Sequence, residues 1–186
     1  MRSRRDLLRA AAGAAALGLL PARAPAQGAD PRNVRPQVGD RFVYSTGPKK
    51  SAVIRPDDLP LGGPHVSAYA QHPATGVIRD GSRMNEVILV RFDPNDLTDG
   101  ARANATQGYV AFSAFCTHAG CSDWAWDAGR KMLKCPCHDS EFDPKDDARV
   151  FGGPATRRLP RLPLKIADGT FVVAGGFIGR VGIDLT

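Results

Sequence analysis

Hydrophobic positions along the chain fall in short runs divided by glycine, proline and polar residues, a spacing that predicts strands and turns. The strongest run is residues 86–92, with Val87-Ile88-Leu89-Val90 at its centre. Residues 109–115 alternate as a second strand, and residues 41–44 (Arg-Phe-Val-Tyr) as the first strand of the fold. A turn-rich connection over 57–63 leads to residues 64–69, which read as an edge strand because proline stands at its start. Gly76 and Gly81 mark turns of a surface hairpin over 74–85. Residues 93–107 are polar and loop outward, with one helical turn at 96–102. Residues 124–129 turn into a strand at 131–134, and Ala167-Asp168-Gly169-Thr170 is a hairpin turn feeding a strand over 171–174. The glycine-rich tail over 175–182 has no strand-to-helix context, so it is not a nucleotide-binding loop.

Composition supports the same class. With 186 residues, 42% of them hydrophobic, the chain can bury one core, and 20 glycines with 15 prolines fit a turn-rich all-β domain. The formal charge of +6 is concentrated at the start: residues 1–26 hold five arginines and one aspartate, leaving about +2 elsewhere. No basic surface interleaved with aromatics follows, so nucleic acid is not an expected partner. Arg157, Arg158, Arg161 and Lys165 read as a solvated face, or as a docking face for an acidic acceptor.

Residues 1–26 read as an export signal. Arg4-Arg5 in Ser3-Arg4-Arg5-Asp6-Leu7-Leu8 resembles the twin-arginine motif of the Tat system. The apolar run that follows, residues 10–20, is far short of the ~20 residues that span a bilayer, and Ala24-Pro25-Ala26 offers a cleavage site, as does Ala22-Arg23-Ala24. The expected organisation is a signal at 1–26, a proline-containing linker at 27–40 and a domain at 41–186. The expected location is the periplasm, with membrane association through the N-terminal segment if the signal is retained.

The candidate chemistry lies between residues 116 and 140. Cys116-Thr117-His118-Ala119-Gly120-Cys121 and Cys135-Pro136-Cys137-His138-Asp139-Ser140, thirteen residues apart, hold all four cysteines and two of the four histidines. Such clustering signals a metal site, a disulfide, or both. Structural zinc needs only four of these six side chains and leaves the surplus cysteines unexplained. Trp124 and Trp126, between the boxes, shield the site or fill the local core. Packing is expected of at least one of them. His65 and His72 have no cysteine near them and read as ordinary surface or strand residues.

The two boxes, with Gly153-Pro154-Ala155, resemble the Rieske iron–sulfur family in its disulfide-containing form. That resemblance implies an antiparallel β-sandwich with a cluster-binding subdomain inserted at about residues 112–158. It implies one 2Fe–2S cluster held by Cys116 and Cys135 on one iron and by His118 and His138 on the other. Cys121 and Cys137 would form the disulfide, Pro154 would cover the cluster, and Ser140 would donate a hydrogen bond to it. Phe142 stands where relatives carry a tyrosine donor. Imidazole ligands place such centres at about −150 to +300 mV, against about −400 mV for all-thiolate ones. The implied role is electron transfer as a subunit of an oxidoreductase, with no complete catalytic site of its own. One candidate setting resembles quinol–cytochrome c reductase, with cytochrome b and a c-type cytochrome as partners. The other resembles the small subunit of arsenite oxidase, with a molybdenum subunit as partner. Glu141-Phe142-Asp143 matches the second. A Rieske oxygenase or ferredoxin fits poorly, because those cytoplasmic proteins lack the extra cysteine pair. Ala119, where the first family has leucine, and Asp139, where it has glycine, depart from the quinol-oxidising pattern.

Overall fold

The computed structural model describes residues 30–183, so the signal read over 1–26 and the start of the linker lie outside the described residues. Ten strands form two antiparallel sheets. β1 (Arg41–Tyr44), β2 (Val66–Gln71), β3 (Val87–Arg91), β4 (Tyr109–Ser113), β9 (Leu164–Ala167) and β10 (Thr170–Val173) make the larger one, in spatial order β4-β3-β2-β1-β10-β9. Inserted between β4 and β9 is the smaller sheet of β5 (Ala125–Asp127), β6 (Met132–Cys135), β7 (Ser140–Asp143) and β8 (Arg149–Gly152), in sequence order. The all-β class and the inserted subdomain agree with the sequence reading.

The unbroken apolar run of β3 has a structural cause. Val87 and Leu89 point into a core with Phe42, Ala68, Ala70 and Phe171, whereas Ile88 and Val90 point the other way. That second face meets Phe112, Leu133 and Phe142, so it is buried by the small sheet. A strand covered on both faces has no polar positions to alternate with. The larger sheet also protects its edges. Ser113 N–H donates to the Pro160 carbonyl (2.8 Å) and Leu162 N–H to that of Ala111 (2.9 Å), and the same segment continues as β9. One stretch of chain therefore links both outer strands and leaves few free edge groups.

Several local expectations change. The stretch 64–69 is not at an edge, since β2 lies between β1 and β3. Pro64 precedes the strand by two residues, so its missing N–H costs the ladder nothing. Residues 74–85 are not merely a surface hairpin: Arg79 and Asn85 are buried, with the Arg79 guanidinium on the buried carboxylate of Asp40. The same pair of residues docks what was read as a linker. From Asp30 onward that stretch lies against the domain, Arg79 Nη1 donating to the Pro31 carbonyl (3.2 Å) and Asn85 Nδ2 to that of Val34 (3.0 Å). The helical turn of the 93–107 loop is α1 (Asp99–Asn104), capped by the Thr98 hydroxyl. Asp168 and Gly169 adopt φ of 50° and 70°, as the β9–β10 hairpin turn requires. The glycine-rich tail is tied to the domain, because Ile178 exchanges backbone bonds with Arg161. Among the described residues no helix is long and apolar enough to cross a membrane.

Candidate metal centre

β4 carries the chain inward and delivers Cys116 to the space between the sheets, where the side chain is 1% exposed. The loop beyond it is tight. Gly120 N–H donates to the Cys116 carbonyl (2.9 Å), and Cys116 N–H to that of Cys121 (2.8 Å). Gly120 has φ +77°, and a Cβ there would lie 2.5 Å from the Phe115 ring, so glycine is required on two counts. His118 is half-buried and Ala119 exposed at the loop tip.

The second box is the turn of the β6–β7 hairpin. Cys135 and Ser140 face each other in register, both buried, and the four residues between them are exposed, His138 included. Asp139 takes φ 58°, a conformation that aspartate tolerates better than most residues, and Lys134 Nζ lies 2.8 Å from its carboxylate. A disulfide joins Cys121 to Cys137 and so ties the two loops together. The His118 and His138 rings meet edge to face with centroids 4.7 Å apart.

Inside this strap lie two free, buried thiols, Cys116 and Cys135. Burial pushes the Cys116 thiol up to about 11, and its contact with Cys135 acts in the same direction. The Cys135 sulfur also lies within 4.8 Å of both disulfide sulfurs. Two thiols inward and two imidazoles outward, with no carboxylate among them, form a soft sulfur and nitrogen donor set that suits an iron–sulfur centre. A bound cation would repay the loss of water that disfavours the Cys116 thiolate.

Other predicted residues gather at the same place. The Ser140 hydroxyl accepts from Ala155 N–H (3.2 Å), which leaves its own hydrogen to donate elsewhere. Gly153 has φ +80° and runs so close to the second box that a Cβ would sit 2.5 Å from the Asp139 carbonyl oxygen. Pro154 follows it at the surface. Phe142 is fully buried and meets the Trp124 ring edge to face at 5.5 Å. Both tryptophans pack: Trp126 lies 6.3 Å from the rings of Phe92 and His65. His72 is half-buried just before the exposed turn at 73–75, its Nδ1 accepting from Thr75 N–H. Thr117 had no role read from sequence, yet its buried hydroxyl donates to the Arg157 carbonyl (2.7 Å), fixing the first box to the segment beyond Pro154. Only its position between a cysteine and a histidine could have singled it out.

A family model described as the Rieske [2Fe-2S] domain matches residues 50–163. The chain belongs to the Rieske family. Its cofactor is accordingly one 2Fe–2S cluster, and its work is electron transfer. Among curated Rieske relatives, a Haloferax mediterranei protein described as a candidate respiratory nitrate reductase Rieske subunit is 40% identical over 106 residues, 56% of this chain and 47% of the relative. The cytochrome bc1 complex Rieske iron–sulfur subunit of Corynebacterium diphtheriae is 32% identical over 162 residues, 75% of this chain and 40% of that protein. The corresponding Streptomyces lividans subunit is 32% identical over 136 residues, covering 69% of this chain and 78% of that one. The chain thus spans less than half the length of the Haloferax and Corynebacterium relatives. Among solved structures, the soluble domain of Rieske protein II (SoxF) from Sulfolobus acidocaldarius is similar over 54% of this chain and 68% of that one, at 24% identity and TM-score 0.39.

Proposed function

We propose that the cluster is held by Cys116 and Cys135 on the inner iron and by His118 and His138 on the outer one, and that the protein works as an exported electron-transfer subunit of a respiratory complex. One observation carries the ligand assignment: the same two loops hold two free buried cysteines and two imidazoles that adjoin each other nearer the surface, and the remaining two cysteines are spent in the Cys121–Cys137 disulfide. When bound, the cluster takes up and releases one electron at a time. This chain's residues exclude water from the sulfur side, keep the imidazoles toward solvent, and offer the Ser140 O–H to the sulfur side of the site. Cys116→Ser and Cys135→Ser proteins should lack the iron, acid-labile sulfide and paramagnetic signal of the reduced wild type. Cys121→Ala should assemble a cluster that is labile or lower in potential. The reverse pattern would overturn the assignment.

The setting we propose is a quinol–cytochrome c reductase-like complex, with the protein facing the periplasm and cytochrome b and a c-type cytochrome as partners. Support comes from the cytochrome bc1 Rieske relatives and from the twin-arginine sequence at Arg4-Arg5. A second reading, as the relay subunit of a molybdenum enzyme of the arsenite oxidase type, is favoured by one feature. The exposed tip beside His138 carries the Lys134–Asp139 ion pair and the small Ala119. Burying an ion pair in an apolar quinol pocket costs several kcal/mol per ion (roughly). Stopped-flow reduction of the oxidised cluster in isolated native membranes separates the two. Reduction by added quinol, abolished in a strain lacking cytochrome b, supports the first reading; reduction that persists in that strain overturns it. Recovery of the protein in the periplasmic fraction, with an N-terminus near Gln27, would support cleavage of the signal. Recovery in the cytoplasm would sink the proposed location.

A further inference from the structure

The disulfide fastens the two cluster loops on their solvent side; the structure assigns a second fastener on the inner side, Trp124. We propose that Trp124 is a positioning residue that fixes the separation of the two boxes, and that it and the disulfide back one another up. The inference rests on the ligand reading above.

Trp124 touches both halves of the site. Its indole N–H donates to the Ala114 carbonyl at 2.7 Å, two residues before Cys116 at the end of the segment that β4 feeds into the first box. Its ring meets Phe142 edge to face at 5.5 Å, two residues after Ser140 in the strand that leaves the second box. Ala114 and Phe142 are both fully buried, so each contact ends on an element held by the core rather than on a loop tip. Trp124 also lies three residues beyond Cys121, so one short segment carries both fasteners. Residues 121–124 are half-buried or exposed, and the segment reaches the core at two points, Cys121 and the Trp124 indole. Of the two, only the indole contacts both halves of the site apart from the disulfide.

The geometry has a consequence for the cluster. The backbone bonds around Cys116 tie the first box to itself, through Cys121 and Gly120, but not to the second box. The Cys116–Cys135 spacing is then set by the shared core, by the disulfide outside, by the Thr117–Arg157 and Ser140–Ala155 bonds through the 155–157 segment, and by Trp124 inside. With the disulfide open, the indole still joins the 121–124 segment to Ala114 just beyond β4 and to β7, and the Cys116–Cys121 backbone bond joins it only to the first box. With the indole shortened, the disulfide still holds the tips together but lets their bases breathe.

The test uses the full-length protein loaded with its cluster and compares Trp124→Phe, Cys121→Ala and the double variant. Phenylalanine keeps an aromatic edge near Phe142 and removes the N–H donor. Losing that bond should shorten the half-life of the cluster, followed by visible absorbance, by about fivefold, the equivalent of ~1 kcal/mol. It should also shift the midpoint potential and broaden the paramagnetic signal of the reduced cluster, neither of which a general loss of fold stability would do. The double variant should lose its cluster faster than the product of the two single effects, the mark of coupled rather than independent fasteners. Phe142→Leu, which removes the ring contact at similar volume, should show the same coupling and guards against a tryptophan variant that folds poorly. Half-lives that multiply, with midpoint and signal unchanged from wild type, would overturn the proposal. If instead the Cys116→Ser protein kept its cluster, the ligand reading itself would have failed, whatever Trp124 does.

Discussion

The two sheets are stabilised by different means. The six-stranded sheet rests on aliphatic and aromatic side chains packed on both faces of β3 and β4, and Phe42, Val87, Leu89 and Phe112 are wholly buried. Strands of the small sheet have three or four residues; its outer strands β5 and β8 have no buried position, and β6 and β7 alternate buried with half-buried ones on their shared span. Single bonds hold its loops in place: the disulfide, Thr117 to Arg157, Ser140 to Ala155, and Trp124 to Ala114. Burial of area is tolerant of detail, because many weak contacts share the work. One-of-a-kind bonds are intolerant of it, which is what a site that must hold four ligand atoms in fixed places requires. The comparison predicts that damage to the base reads out as stability, and damage to the small sheet as cofactor chemistry.

The largest expected effect is at Cys135. Cys135→Ala should remove the cluster altogether and yet leave a cooperative unfolding transition from the base, seen by far-ultraviolet circular dichroism. Loss of that transition would mean that the base cannot stand without its insert. Next comes Leu89→Ala. Truncating a fully buried leucine at the centre of β3 should cost about 2–5 kcal/mol in urea unfolding, with the visible spectrum of the folded fraction unchanged. A changed spectrum would show that the cores are coupled to the cluster more tightly than their division suggests.

Smaller effects sharpen the contrast. Ser140→Ala should lower the midpoint and Phe142→Tyr should raise it, each by a few tens of millivolts, since a bond of about 1 kcal/mol corresponds to roughly 40 mV for one electron. Redox titration followed by the paramagnetic signal measures both, and a midpoint that ignores both changes would point to other donors. The smallest effect is at Glu86, at the start of β3. Burial raises its carboxyl above the usual range, and the charge of Asp123 adds to the shift, although the Ser45 hydroxyl opposes it. A raised folded pKa means that the stability Glu86 contributes is present below its unfolded pKa and lost as pH rises through the folded one. Glu86→Gln should therefore stabilise the protein at neutral pH, with the gain vanishing toward acid. A gain that grows toward acid would reverse the assignment.

Much of the small sheet's chemistry was legible in the chain, and of its strands β6, read at 131–134, was legible too. Cysteine, histidine, glycine and proline in two boxes identify ligands and turns because few residue types can do that work. β7 and β8 have no comparable signal: Ser140-Glu141-Phe142-Asp143 and Arg149-Val150-Phe151-Gly152 are too short and mixed to stand out, and they become strands by pairing with β6. Trp124 was visible as a large residue between the boxes, with nothing to say which carbonyl its N–H would meet.

Local residue pattern alone specifies the all-β class, the strands β1, β3, β4, β6 and β10, the turn at Asp168-Gly169 and the family-bearing residues of the site. Each of these depends on side-chain type within a few neighbours, and periodicity or turn chemistry reports it directly. It took the assembled sheets to place β2 in the interior, to set Arg79 and Asn85 on the 30–40 segment with its Asp40, and to brace the boxes with Thr117 and Trp124. Those contacts join residues 10 to 51 positions apart, and their energy exists only once the sheets have brought the partners together.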